Sequence, residues 1–598
     1  MQRLPRSSFS FVLSTSLALL AAAPGTAAPP GSLPCAAEAQ AAVAAVRTLI
    51  LVSGLADGNE NAFLAKLDAA EKSIQKGNAN AASGQLGALR NQVEAFAANG
   101  KLSADDAQAI LEAIEVALAV LESCSGTARL AFFNVRSGDS ENGLFWVNPV
   151  APYAATRVLF RTDTYPSGVT DPQATHLGPF PGSPGVVGST THTGLDNGTT
   201  YYYAAFAEDG AGVASAARTS RGRPEDTLGA FRWAYTIGRP RPVAAVNGSS
   251  FPYMALSDDA LHAMRVVDGG WPSSWKPAAI AAPAAARPTT LPFAIGGQRM
   301  SFVGSRTGVV HAVNADSGAL VWTSPPLGGQ VLSSVSGAFA AFGETVDYLF
   351  VGVRTPAGGG RFHALNPLNG TIRWSFDAGG SLGAVVTQPS VSPTTATTPG
   401  RIYFASRARG GTDTVWCLQY APASFTVVWS AKPGDVNTSP TVRMGSVYVG
   451  TTADELHSLD ADDGTVRWPT PYATGDGPIS LFVFRPLGTD RLYFSTANAA
   501  HALTDMGSAA VAFWTAPVSL PNPSVPVPVG PNVYVSAADG RLYQIDQTAT
   551  TPSPIPVSVG DPSAPAALGQ LTFDNSNGIV IVGSADGIVY GLHFPFAP

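Results

Sequence analysis

Five of the eight histidines recur in one local setting. His262, His311, His363, His457 and His501 each stand among small or apolar neighbours, as in Val310-His311-Ala312-Val313-Asn314 and Leu456-His457-Ser458-Leu459-Asp460. Trp416, Tyr543 and Tyr590 take the same slot in other copies. Imidazoles repeated in register are the material of a metal site. Spacing opposes that chemistry. If each copy is a small sheet with the histidine on its third strand, equivalent positions on neighbouring sheets lie roughly 13 Å apart. Metal–ligand bonds are about 2 Å. The expectation is therefore aromatic-sized rings packed between sheets, with no metal site. Asp57-Gly58-Asn59-Glu60-Asn61 has the oxygen-rich look of a calcium loop, but it lacks the glycine at position six and offers Asp68 where a bidentate glutamate belongs. Asp460, Asp462 and Asp463 precede Gly464 and read as turn-shaping carboxylates. No Gly-x-Ser-x-Gly elbow, phosphate loop or zinc signature is expected, and no catalytic and no cofactor-binding residue is assigned.

The three cysteines divide in two ways. Cys35 and Cys124 stand at the ends of one helical segment and are expected to form a disulfide, which the chain-entropy account values at about 4–5 kcal/mol. Cys417, within Thr414-Val415-Trp416-Cys417-Leu418, falls on a predicted strand as a small buried hydrophobe.

The elements that must carry these residues sit in an unusual composition. Of 598 residues, 45% are hydrophobic and 13% charged, with 62 Gly and 48 Pro. An average soluble protein has roughly 25% charged residues. A disordered charged chain is excluded, and a net charge of −7 argues against a dedicated nucleic-acid binder. Residues 1–28 read as a signal peptide, with Arg3 and Arg6 ahead of an apolar run from Phe9 to Ala23. That run is too short for a ~20-residue membrane span, and no transmembrane segment is expected in the mature chain.

Three periodicities follow. Residues 35–126 are helical in pattern, with apolar stripes such as Leu86, Leu89, Val93, Phe96 and Ile110, Ile114, Leu118, Leu121. About four helices in a small antiparallel bundle are expected. Eleven acids and six bases give this segment a net of −5, most of the negative charge of the chain. Its Leu67-Asp68-Ala69-Ala70, Lys76-Gly77-Asn78 and Asn91-Gln92-Val93 resemble the FIMAH domain, which implies an accessory module. Residues 128–222 change to period two. An early Trp146 and a late Leu195-Asp196-Asn197-Gly198-Thr199-Thr200-Tyr201 resemble fibronectin type III, a β-sandwich with a core Trp and a tyrosine corner.

From 228 to 598 the sequence repeats. Leu349-Phe350-Val351-Gly352 leads to Phe362-His363-Ala364-Leu365-Asn366 and Gly370-Thr371-Ile372-Arg373-Trp374. Val447-Tyr448-Val449-Gly450 leads likewise to Leu456-His457-Ser458-Leu459-Asp460 and Gly464-Thr465-Val466-Arg467-Trp468. Eight copies at the spacing of a four-stranded sheet predict an eight-bladed β-propeller, because one such sheet cannot cover its own two faces. Phe231-Arg232-Trp233 carries the terminal Trp strand without its predecessors, and the last copy lacks that strand. Phe231 to Tyr235 is therefore expected to complete the last sheet. The pattern resembles the PQQ-like propeller repeat.

That resemblance implies one of two activities. Quinoprotein dehydrogenases of the family use PQQ and calcium, and their alcohol-oxidising members carry a vicinal cysteine pair. Here the repeat region has one cysteine, Cys417. Other relatives are non-enzymatic scaffolds, including the lipoprotein that assists outer-membrane β-barrel assembly. The expectation is an exported (periplasmic, outer-surface or extracellular), cofactor-free binding or scaffold protein that contacts a protein or polysaccharide at the cell surface, without nucleic acid. The alternatives are a divergent PQQ-dependent dehydrogenase and an outer-membrane assembly scaffold.

Overall fold

The computed structural model describes residues 36–596, apart from 53–54, 103–106, 122–128, 150–152, 227–230, 238–245, 248–252, 257–259, 271–274, 280–286, 292–293, 340–345, 394–398 and isolated positions between them. Residues 1–28 and the Cys35–Cys124 pair lie outside the described residues. The chain is mainly β. It divides into two compact units, one of residues up to 129 with 150–153 and 207–216, the other of 130–149, 154–206 and 217–598.

The first unit contains α1 (Ala36–Val52), α2 (Asp57–Gln75) and α3 (Ala79–Ala98), and described positions between 107 and 121 are also helical. Asp57 thus begins a helix rather than a calcium loop. Ala39, Val43, Val46 and Ile50 of α1, Phe63, Leu67, Ala70 and Ile74 of α2, and Leu86, Leu89 and Val93 of α3 form one buried cluster with Ile110, Ile114 and Leu121. Steps of three and four bring each set onto one helix face. The Asn78 side chain accepts the Ala81 N–H at 3.0 Å and caps α3. Arg47 of α1 reaches both Asp68 (2.6 Å) and Glu71 (3.0 Å) of α2.

The second unit opens with β1 (Phe132–Ser137), β2 (Glu141–Val147), β3 (Ala155–Arg161), β4 (Thr175–Pro181), β5 (Val187–Thr193), β6 (Tyr201–Glu208), β7 (Arg218–Gly222) and β8 (Phe231–Thr236). One sheet runs in the order β4-β3-β6-β7, and a second carries β1-β2-β5. Trp146 of β2 is buried and presses on Gly188 of β5, where an added Cβ would come within 2.3 Å of the indole nitrogen. The Tyr201 hydroxyl accepts the Asp196 N–H at 3.0 Å.

Seven four-stranded antiparallel sheets follow in chain order from Val246 to Ser558 among the described residues. An eighth holds Thr572–Asp574, Ile579–Gly583 and Ile588–His593, and its fourth strand is β8. The second strands, such as Met300–Gly304 and Ser446–Gly450, are buried along their whole length, because neighbouring sheets cover both faces. The eighth sheet approaches the first where Ile579–Gly583 meets Val246–Asn247.

β8 has a second partner. Its free edge pairs with β1 (Val135 opposite Thr236, Arg136 opposite Tyr235), so one seven-stranded sheet runs from the repeat into the β1-β2-β5 layer. Asn134 donates to the Thr236 carbonyl at 2.9 Å in a buried setting. Val147 joins Trp233, Tyr235, Met264 and Ile581 in one buried cluster, with Phe132 and Phe145 packed against it. The strand that completes the repeat is therefore covered on both edges, which removes an open ladder.

Candidate functional site

His262, His311, His363 and His457 occupy third strands and His501 stands on Ala499–Asp505, the partner of Arg491–Ser495, and each imidazole is engaged within its own surroundings. His262 Nδ1 lies 3.2 Å from the Tyr235 hydroxyl. His311 Nδ1 meets Thr323 Oγ1 at 3.1 Å. His363 meets Ser375 Oγ at 2.8 Å through Nδ1 and the Leu327 carbonyl at 3.0 Å through Nε2. His457 pairs with Glu455 and His501 with Asp476, both at 3.1 Å. Burial holds His311, His457 and His501 below the ordinary imidazole range and brings His363 down to about 4. Burial thus favours the neutral form of these four rings at pH 7, and all five histidines serve as packing pieces with a polar edge. Among the described residues no three His, Cys, Asp or Glu side chains come together as a metal site.

Other chemically able residues are similarly occupied. Asp460 Oδ1 accepts the Asp462 N–H at 2.8 Å and Asp463 Oδ1 the Thr465 N–H at 2.9 Å, so both shape the turn before Gly464. Cys417 is fully buried, and burial pushes its thiol up to about 12. Gly379-Gly380-Ser381-Leu382-Gly383 spells Gly-x-Ser-x-Gly, which corrects the expectation that the chain lacks this pattern. A nucleophile elbow needs a strand-to-helix turn. Ser381 instead follows a three-residue 3-10 turn, and its hydroxyl donates to the Ala378 carbonyl at 2.7 Å.

A recurring geometry of the repeat lies at its junctions. At three of them the outer-strand Trp of one sheet rests on the turn glycine of the next. Trp322 Nε1 donates to the Pro367 carbonyl at 3.0 Å, and a Cβ at Gly370 (φ 71°) would fall 2.5 Å from its ring. Trp429 does the same to Ala461 (3.1 Å) over Gly464, and Trp233 to Val266 (2.6 Å) over Gly269. Trp468 donates to Asp505 at 3.1 Å, inside a buried cluster where Asp505 also pairs with Arg485 at 3.0 Å and accepts from Tyr448.

The first strands meet one another through neutral groups. Ser336 donates to the Pro389 carbonyl (2.7 Å), Ser390 to Pro440 (2.6 Å) and Thr441 to Val483 (2.6 Å). Gln570 exchanges two hydrogen bonds with the Val525 backbone. Asp574, on the first strand of the eighth sheet, is taken up by Ser576 and Asn577.

A solvent-open cleft lies beside β8, lined by Glu225, Asp226, Phe231, Val557, Val559 and Tyr590 among others. Burial pushes the Glu225 carboxyl up even though it is paired with Arg223. Tyr590 is raised by burial as well. Nothing in the sequence marks this cleft, since Glu225 and Tyr590 are 365 positions apart.

The family described as Outer membrane protein assembly factor BamB matches residues 268–412 and 306–551. The chain carries a PQQ-like β-propeller repeat. Among solved structures, BamB from Moraxella catarrhalis is 16% identical, with a TM-score of 0.44 over 61% of this chain and 97% of that one. The computationally designed Ika8 protein is 11% identical, with a TM-score of 0.44 over 60% and 98%. No curated protein matches this chain.

Proposed function

We propose that this chain is an exported, non-catalytic scaffold whose propeller, residues 228–598, presents its loops to a protein or polysaccharide at the cell surface. The eight sheets are its blades. One observation carries the reading: the repeat residues with chemistry in them are each used within the fold, the histidines as packing pieces, Cys417 as a hydrophobe and the Trp residues as junction pins. The strand orders β4-β3-β6-β7 and β1-β2-β5, with the Tyr201 hydroxyl turned back on Asp196, support a fibronectin type III-like module at 128–222. Residues 35–126 are its FIMAH-like helical companion, clipped by Cys35–Cys124. Outer-membrane protein assembly is the second reading, favoured by the BamB family match.

The test is capture. Immobilised mature chain is exposed to detergent-solubilised envelope and to a glycan array, and selective retention of a protein or glycan is expected. Retention of neither overturns the proposal. In parallel, PQQ and calcium are added to the purified chain. A shifted quinone absorbance with dye-linked alcohol oxidation would establish the dehydrogenase instead.

A further inference from the structure

In an antiparallel four-stranded blade, the turn from second to third strand and the link to the next blade emerge on one side. Here those segments hydrogen-bond in series: Leu327 N to Gly308 O (2.8 Å), Gln330 N to Arg354 O (2.8 Å), Gly360 N to Leu382 O (2.9 Å) and Arg407 N to Ala384 O (2.9 Å). The belt continues from Thr452 N to Asp435 O, Ala538 N to Pro521 O and Ala585 N to Ala567 O. All of these lie in one face of the second unit.

Charge on this face is split. The second to fourth sheets and their links contribute Arg306, Arg354, Arg361, Arg407, Arg409 and Lys432 against Asp377, Asp413 and Asp435, whereas the fifth to eighth contribute Asp454, Glu455, Asp476, Asp539, Asp561 and Asp586 against Arg541. Of these acids Asp586 faces Arg221 and Asp539 faces Arg541, while Glu455 and Asp476 are hydrogen-bonded to imidazoles that burial keeps neutral, so that half retains its negative charge. On the basic half Arg407 pairs with Asp435. Arg354, Arg361 and Arg409 are exposed, and among the described residues no carboxylate lies within ion-pair distance of them.

The floor beneath these arginines is glycine. The guanidinium of Arg409 occupies the space a side chain at Gly359 would need, with Nη1 2.0 Å from the Cβ position, and Arg361 Nη1 lies 2.7 Å from that of Gly328. Arg409 is steadied by the Gly380 and Leu382 carbonyls, both at 3.5 Å, which leave its charge uncompensated. The surrounding segments 305–309, 324–335, 354–360, 377–389 and 406–414 contain no aromatic residue. A sugar polymer gripped by ring stacking finds no platform there.

We propose that this basic half-face docks an acidic segment of a partner protein, with Arg354, Arg361 and Arg409 as its contacts. The idea rests on the scaffold reading and adds to it a face and a partner chemistry. Guanidinium groups on a flat floor suit carboxylates, which they engage in bidentate fashion. The neighbouring acidic half repels a misplaced acidic segment and fixes its register.

The test uses the mature chain and a fluorescent oligoglutamate peptide, read by anisotropy. Binding that weakens steeply with salt is expected, since exposed charges are screened beyond about 8 Å at physiological ionic strength. The triple variant Arg354→Ala, Arg361→Ala, Arg409→Ala should lose affinity about tenfold or more, summing three rim charges. Its melting curve should match the parent, because the three side chains are exposed. Equal binding by the triple variant overturns the proposal, as does tighter binding of oligolysine. Binding of polygalacturonate or an oligonucleotide in preference to oligoglutamate overturns the partner class. A chain that captures an envelope protein yet ignores oligoglutamate loses this inference and keeps the scaffold reading; oligoglutamate binding without capture does the reverse.

Discussion

Two junctions in the repeat solve one packing problem differently. Between the second and third sheets, Trp322 lies on Gly370 and donates to the Pro367 carbonyl. Between the third and fourth, Trp374 has no glycine to lie on, because the next turn is the tight hairpin joining Val415–Ala421 to Ser424–Ala431. Its ring packs on Phe425 with centroids 4.9 Å apart, and its indole nitrogen is buried with no acceptor among the described residues. A glycine turn lets the indole come close enough to hydrogen-bond. An aromatic spacer fills the same room and forfeits the bond. The Trp residues are thus equivalent in sequence and unequal in energy.

The largest effect that would break this comparison is expected at the glycine. Gly370→Val places a β-branched residue at φ 71° with its Cβ 2.5 Å from the Trp322 ring. Left-handed backbone costs ~1–2 kcal/mol and overpacking ~1–3 more, so a loss of about 4 kcal/mol is expected in denaturant unfolding. Gly410→Val, at φ 60° with nothing within 4 Å, should cost the backbone share alone. Equal losses at the two glycines would show that the Trp contact contributes nothing.

Next comes the pair of Trp substitutions. Trp322→Phe strands the buried Pro367 carbonyl as well as losing ring volume, and about 3 kcal/mol is expected. Trp374→Phe removes a nitrogen that has no acceptor, so about 1 kcal/mol is expected. Matching midpoint shifts for the two variants would erase the distinction between the junctions.

The repeat was readable in the sequence because its signals are local. Gly370 and Trp374 sit four residues apart, as do Gly464 and Trp468, and alternation marks the strands between. The assignment of Phe231 to Tyr235 to the last sheet was readable too, since this segment carries a Trp strand lacking its predecessors, and the observed strand runs one residue further, to Thr236. Its second pairing with β1 was not, because an edge has no local signature of what will cover it. The same holds for the divided charge of the loop face, where arginines from Arg306 to Arg409 are gathered across a hundred residues by topology alone. Ser381 shows the opposite failure: its Gly-x-Ser-x-Gly spelling is local, but the structure gives it a turn carbonyl as partner.

Acid should sharpen the comparison through the third sheet, where His363 is bonded at both nitrogens. Its folded-state pKa is depressed to about 4, below the ~6.5 of a free imidazole. Between those values the unfolded chain binds a proton that the folded chain refuses. Stability is therefore complete above about pH 6.5 and falls as pH drops toward 4. For this residue alone the loss by pH 5 is about 2 kcal/mol. Denaturation midpoints at the two ends of this range should differ, and His363→Gln should flatten the slope. An unchanged slope in that variant would move the acid sensitivity elsewhere.

The smallest effect is expected where the repeat joins β1 and β7. Arg221 of β7 pairs with Asp586 of the eighth sheet at 3.0 Å, but the two side chains keep 34% and 26% of their exposure. Solvent screens such a pair, so Arg221→Ala should cost less than about 1 kcal/mol. The strength of this join lies in the shared ladder of β8 and in the buried Asn134 bond to the Thr236 carbonyl. Proteolysis of the 222–231 link would separate these contributions. If strand pairing and packing hold the join, the cleaved halves of the Arg221→Ala variant co-elute in size-exclusion chromatography. Separation of those halves, with the cleaved parent intact, would assign the join to the ion pair.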